Sequence, residues 1–239
     1  MEKTIPKYRV KLIDLGVCDF KEAWNYQIAI FDKIISWKKS VEHDASSDKK
    51  QPLGTLIFVE HPHVYTLGKS GSESNILIDN MRMKAEGASL YRIDRGGDIT
   101  YHGPGQIVCY PIFDIEALNI GLKEYIYKLE MTIIEVVEKY GLKASRLTGG
   151  TGVWLDPDAM DKARKICAIG VKASKFVTMH GLAFNVNTNL EYFNFINPCG
   201  FTDKGVTSLE NELGGKQNLE EAKKIIVEKF KEVFNVEIF

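Results

Sequence analysis

"RIDRGGDITYHGPGQIVCYPIFDI" (92–115) packs two turns and three strand-like runs into one short stretch. A charged strand end runs into Gly96-Gly97, a short strand follows, "HGPG" turns the chain, and a strongly apolar strand leaves. Glycine and proline bound strands in this way. Strand follows strand here with no helix between them, unlike the strict alternation of a doubly wound parallel fold.

Working outward, "RVKLIDLG", "TLIFVEH", "SLYRID", "GVWLD", "KICAIGV" and "TMHGLAFNVN" also read as strands. Three helices stand out by apolar spacing. Over 20–39, Trp24, Ile28, Phe31 and Ile35 recur at steps of four and three. Over 122–140, Ile126, Leu129, Ile133 and Val136 share a face, and Gly141 supplies a C-terminal stop. Over 219–234 the buried side is Leu219, Ala222, Ile226, Phe230 and Val233, with Asn218 and Glu221 as a capping box. Strands outnumber helices and do not alternate with them, which predicts an α+β fold: a mixed β-sheet with packed helices. The polar stretch "VEHDASSDKKQPLG" (41–54) reads as an excursion between a helix and a strand that does not end a domain. One catalytic domain over 1–239 is expected.

The 239 residues are 44% hydrophobic and 26% charged, the balance of a globular protein, with a net charge of −1. No global field therefore draws the chain to nucleic acid or to an anionic membrane. No apolar run reaches the roughly 18 residues of a membrane span. "MEKTIPKYRV" lacks the apolar core of a secretory signal, so a cytoplasmic protein is expected. The surface composition suggests a monomer.

Paired glycines let backbone approach a ligand closely, because no Cβ intervenes. The loop around Arg95, Thr100, Tyr101 and His102 is therefore a candidate binding loop, although such turns also serve simply to link strands. It matches neither G-x-G-x-x-G nor G-x-x-x-x-G-K-[ST], so no nucleotide loop is present by pattern.

The four cysteines, Cys18, Cys109, Cys167 and Cys199, form no C-x-x-C pair and have no histidine at zinc-finger spacing, so no metal site is expected. Cys109 in "IVCYPIF" and Cys167 in "KICAIGV" sit in apolar strands and read as packing. Cys18 precedes a helix start and has no polar company in the sequence. Cys199 in "INPCG" differs, lying in a turn between Pro198 and Gly200 with polar "FTDKG" after it. A turn can expose and aim a thiol, and it can equally bury one. A free thiol has a pKa near ~8.5 and needs a neighbouring cation to become a thiolate. His102, His180 and the basic stretch "KARKICAIGVKASK" (162–175) are the available helpers. That stretch carries Lys162, Arg164, Lys165, Lys172 and Lys175 with no acid inside it, and a solvated face would explain it equally well.

"RGGDITYHGPGQ", "KICAIGVK", "HGLAFNVN" and "INPCG", in this order, resemble the lipoyl/octanoyl transferase family, the acyltransferases of lipoate biosynthesis. "EHPHVYTLG" (60–68) resembles the family's strand-and-loop segment, and the likeness spans about 55–210. It implies a biotin/lipoyl protein ligase-like catalytic domain. By the same resemblance Cys199 is the nucleophile that becomes an acyl-thioester, and Lys165 is its partner. Lys162 fits less well, since no I-x-x-x-G follows it. The substrate loop falls on Arg95, Gly96, Gly97, Asp98, Ile99, Thr100, Tyr101 and His102. Further pocket backbone falls on Ala168, Ile169 and Gly170 and on Gly181, Leu182 and Ala183, with His180 at the edge. The stretch near 43–50 and the loop "TGGTGVWLDPDAMDKARK" are longer than in many members.

The implied activity moves an octanoyl group from octanoyl-acyl carrier protein to a specific lysine of lipoyl domains. The acceptors would be subunits of 2-oxoacid dehydrogenases and the glycine cleavage H protein. The acyl group arrives on the carrier's phosphopantetheine, so no cofactor is expected. Two related readings are an ATP-dependent lipoate–protein ligase, which needs no nucleophilic thiol, and an amidotransferase working between two lipoyl domains. Unrelated alternatives are a cysteine hydrolase using His102 or His180 as base, and a non-catalytic module that binds acylated carrier protein.

Overall fold

The computed structural model describes residues 8–43, 51–159, 161–197 and 204–239. The chain opens with β1 (Arg9–Val17), α1 (Phe20–His43), β2 (Gly54–Glu60) and β3 (Val64–Leu67). There follow α2 (Asn80–Ala85), β4 (Ser89–Arg92), β5 (Ile99–His102), β6 (Gln106–Ile112) and α3 (Leu122–Lys139). Next come β7 (Ala144–Leu147), β8 (Gly150–Leu155), β9 (Arg164–Ser174) and β10 (Val177–Asn185). β11 (Gly205–Val206), α4 (Leu209–Leu213), α5 (Leu219–Phe234) and β12 (Glu237–Ile238) complete it.

Among the described residues the main sheet runs β12-β1-β2-β6-β10-β9-β8-β7, with β11 alongside β9. β1 pairs in parallel with β2 and β12, as does β11 with β9, while the β2-β6-β10-β9-β8-β7 pairings are antiparallel. A smaller sheet, β4-β3-β5, stands beside it. The α+β expectation holds: the main sheet is mixed, and helices pack on it.

Side chains of the central strands alternate between two cores, as a pleated strand dictates. Leu56 and Phe58, Ile107 and Cys109, and Leu182 and Phe184 join the core shared with α3 and α5. Ile57 and Val59, Val108 and Tyr110, and Met179 and Ala183 face α1 on the other side. Cys109 and Cys167 are fully buried packing residues, and burial pushes both thiols up.

The three expected helices form close to their expected bounds. Asn218 caps α5, its side-chain oxygen accepting from the backbone N–H of Glu220 and Glu221 at 2.9 and 3.1 Å. Gly141 follows the Tyr140 cap of α3 at φ 78°, the left-handed turn expected of a C-terminal stop. α1 departs from expectation in its buried stripe, which is Phe20, Ala23, Gln27, Phe31, Ile34 and Lys38. Trp24, Ile28 and Ile35 only flank it. No described helix is long and apolar enough to cross a membrane.

Candidate active site

A cavity of about 480 Å³ lies where β6, β10 and β9 of the main sheet meet β5 and the Arg95–Asp98 loop of the smaller one. Of the residues singled out from sequence, Arg95, Gly96, Gly97, Asp98, Ile99, Thr100, His102, Lys165, Ala168, Ile169, Gly170, His180, Gly181, Leu182 and Ala183 line it. Tyr101 does not. Successive residues of β5 face opposite sides, and Tyr101 is buried against Tyr65, Tyr192 and Phe193. Its hydroxyl bonds His63 Nδ1 at 2.7 Å. Cys199 lies outside the described residues.

Strand register brings these residues together from distant sequence. Ala168 pairs with Ala183 and Gly170 with Gly181 across β9 and β10, while Ala183 pairs with Val108 and Asn185 with Gln106 across β10 and β6. The glycines are required by close approach. A Cβ at Gly170 would stand 2.9 Å from both Arg95 Cδ and the Gly96 carbonyl, and one at Gly181 would stand 2.2 Å from the Cys109 carbonyl. Removing the side chains lets the Arg95 loop lie on β9, where Gly96 N donates to the Val171 carbonyl at 2.9 Å.

Lys165 leaves β9 beside Trp154 of β8, and its Nζ lies over the indole, 4.7 Å from the ring centroid. Its stem borders Gly152, where a Cβ would stand 3.5 Å from Lys165 Cδ and Cε. On its other side runs β11, with Val206 paired to Lys165 and Thr207 N donating to the Lys165 carbonyl at 2.9 Å. Phe193 and Val206, which flank the segment containing Cys199, both line the cavity.

The cavity is backed by a continuous polar network. Arg95 Nη2 donates to the Thr66 carbonyl at 2.6 Å and to Thr66 Oγ1 at 3.0 Å. Thr66 Oγ1 meets His102 Nε2 at 3.4 Å, and His102 Nδ1 meets Gln106 Oε1 at 2.8 Å. Gln106 Nε2 donates to Asn185 Oδ1 at 2.9 Å, and Asn185 Nδ2 to the Thr207 carbonyl at 3.0 Å. The chain of contacts thus runs from the glycine loop to the residue beside Lys165. Burial above all drives the His102 pKa down to about 3, so the ring is neutral near pH 7.

His180 is 2% exposed, and its Nε2 lies 3.0 Å from Asp94 Oδ1. Burial pulls its pKa down, against the opposing pull of Asp94. Asp94 also holds Lys172 at 2.6 Å, and the His180 hydrogen bond, ahead of that partner, keeps its carboxyl well below the usual range. Arg164 pairs with Glu212 and Asp156, and Lys175 with Glu42. Acids from other elements therefore answer much of the charge in the basic 162–175 stretch. Cys18 is a second departure from the sequence reading: its sulfur lies 3.9 Å from Glu22 Oε2, and burial together with that acid raises its pKa.

Gln106, Asn185, Asp94, Phe20 and Tyr110 belong to the site and were not singled out from sequence. Gln106 and Asn185 fall inside the quoted motifs "RGGDITYHGPGQ" and "HGLAFNVN", which was the only local signal. Phe20 and Tyr110 lie outside the motifs that carry the resemblance.

Residues 28–231 match the family model of the lipoyl protein ligase A/B catalytic domain. An octanoyltransferase of Parabacteroides distasonis is 54% identical over 221 residues, 92% of this chain and 96% of that protein. A lipoate-protein ligase A solved with ATP superposes with a TM-score of 0.66 at 14% identity, covering 98% of this chain and 87% of that one. A biotin protein ligase of Aquifex aeolicus, solved with biotin and ATP, gives 0.52 at 13% identity, covering 94% and 70%. These two show the shared fold. The chain belongs to the lipoyl protein ligase A/B catalytic domain family, and it is an acyltransferase.

Proposed function

We propose that the enzyme transfers an octanoyl group from octanoyl-acyl carrier protein to a lysine of lipoyl domains, through a thioester on Cys199. The observation that carries this reading is the company of Lys165. One cavity is lined by Lys165, by the Arg95–Asp98 loop and by Phe193 and Val206, the flanks of the segment that holds Cys199. The 54% identity to an octanoyltransferase supports the choice of acyl group.

In the first step the Cys199 thiolate attacks the carrier's thioester carbonyl. A carbon–sulfur bond forms, the pantetheine sulfur leaves, and it takes a proton from the Lys165 ammonium. In the second step the acceptor lysine amine attacks the Cys199 thioester. Its proton passes to Lys165, the Cys199 sulfur leaves, and an amide forms. Splitting the transfer this way divides one difficult step into two easier ones. The acyl group arrives activated, so ATP is not consumed. Lys165 serves as the cation that favours the thiolate and as the proton carrier between the two steps. The hydrolase alternative finds less support: Thr66 and Gln106 occupy both nitrogens of His102, and Asp94 holds His180 Nε2.

The test is intact mass after mixing the enzyme with octanoyl-carrier protein and no ATP. An octanoyl adduct should form, disappear in Cys199→Ser, and pass to an apo lipoyl domain. Lys165→Ala should fold normally and lose at least about a hundredfold in transfer, at the lower end of acid–base contributions. Near-normal turnover by Cys199→Ala would sink the thioester route, and strict dependence on ATP with free octanoate would point to ligase chemistry.

A further inference from the structure

The cavity has an open rim and a closed end. Gly96, Gly97, Gly149 and Thr151 at the rim are exposed. At the other side Phe20, Ile93, His102, Tyr110 and His180 line it while each is no more than 8% exposed. Lys165 stands on β9 and Tyr110 on β6, with β10 between them. The layers follow strand register, from Asn185 and Gln106 near Lys165, through Ala168, Ala183 and Val108, to Gly170 and Gly181. Two strand spacings and about five residues give a diagonal on the order of 20 Å from Lys165 to the closed end. The Lys165 side chain and the thioester group take up the nearer part. The remainder, on the order of 10 Å, is the length of eight extended carbons at about 1.5 Å a bond.

We propose that Phe20, backed by Ile93 and Tyr110, is the end wall that sets the acyl-chain length this enzyme accepts. The inference rests on the octanoyl reading above and adds the residue that limits the chain. Phe20 is the first residue of α1, placed by Asp19, whose Oδ1 accepts from Lys21 N at 2.7 Å. Its ring is fixed from four sides, by Tyr91 at 5.2 Å, His61 at 5.3 Å, Trp24 at 6.0 Å and His102 at 6.4 Å between centroids. A ring so held cannot turn aside for a longer chain. The polar members of the wall have hydrogen-bond partners: His102 turns to Thr66 and Gln106, Tyr110 to His61, and His180 to Asp94.

The test compares Phe20→Ala and the milder Phe20→Leu with wild type. The first measurement is calorimetric binding of free octanoate and free dodecanoate, which requires no thioester chemistry. Wild type should prefer octanoate, and Phe20→Ala should shift the ratio at least tenfold toward dodecanoate, since each further buried methylene contributes roughly fourfold. Phe20→Leu should shift it in the same direction by less, and it keeps the question answerable if the alanine variant does not fold. The second measurement is the rate of adduct formation from octanoyl- and dodecanoyl-carrier protein. An unchanged preference in a folded variant overturns the proposal. Failure of wild type to form any adduct, alongside a shifted binding preference, would count against the thioester reading and leave the wall in place.

Discussion

At the scale of single residues, neighbours in one strand have opposite duties. Thr100 and His102 face the cavity, whereas Tyr101 between them stacks on Tyr192 with ring centroids 5.0 Å apart and bonds His63. Tyr101→Phe should therefore lower stability by about 1 kcal/mol, the net worth of one hydrogen bond. It should leave acyl transfer within about twofold, and a loss of transfer tenfold or greater would return Tyr101 to the substrate. The sequence motif could not separate these residues, because a motif records which residues recur together and not which way each one faces. It served Lys165 and Gly170 better. A lysine followed by I-x-x-x-G places its small residues on the strand where the Arg95 loop must lie, and a Cβ at Gly170 has no room there. Gln106 and Asn185 escaped notice because their role exists only across the β6-β10 pairing.

At the scale of elements, α1 shows what periodicity can and cannot detect. Its apolar spacing announced a helix over about 20–39, and the helix runs Phe20–His43. The spacing misplaced the buried face because it counts apolar residues alone. Gln27 is buried because its Oε1 accepts from His180 N at 3.1 Å, and Lys38 because it reaches Asp114 at 2.7 Å and Glu116 at 2.6 Å. Those partners are 76 or more residues away, beyond any local pattern. β11 and β12 were missed for another reason: with two residues each they are too short to show alternation. Lys38 and Asp114 have side chains only 8% and 4% exposed, so removing one leaves the other's charge nearly out of water. Lys38→Met should cost about 3 kcal/mol in urea unfolding, and adding Asp114→Asn should recover part of it. A double variant no more stable than the single one would show that the pair does not act as a unit.

At the scale of the whole molecule, the smaller sheet joins the main one through two buried histidines. His61 follows β2 and His102 ends β5, with ring centroids 5.9 Å apart. His61 Nδ1 meets the Cys18 carbonyl and Nε2 the Tyr110 hydroxyl, each at 2.8 Å. A neutral ring satisfies both contacts, donating at Nδ1 and accepting at Nε2, and His102 has the same pattern with Gln106 and Thr66. Burial lowers His61 to about 4 and His102 to about 3, from an ordinary 6.5. The sign follows from proton counts. Well above pH 6.5 neither folded nor unfolded chain protonates these rings, so they add no pH dependence there. Below it the unfolded chain takes up protons that the folded one refuses, and stability falls as pH drops toward 4. At about 1.4 kcal/mol per unit for each ring, moving from pH 7 to pH 5 should remove up to about 2 kcal/mol per histidine. Urea midpoints at the two pH values measure this directly. His102→Gln, which keeps a donor and an acceptor but does not titrate, should start lower at pH 7 and lose up to about 2 kcal/mol less than wild type on going to pH 5. If its loss equals that of wild type, the acid sensitivity lies elsewhere, and the seam between the sheets is not where protons loosen this fold.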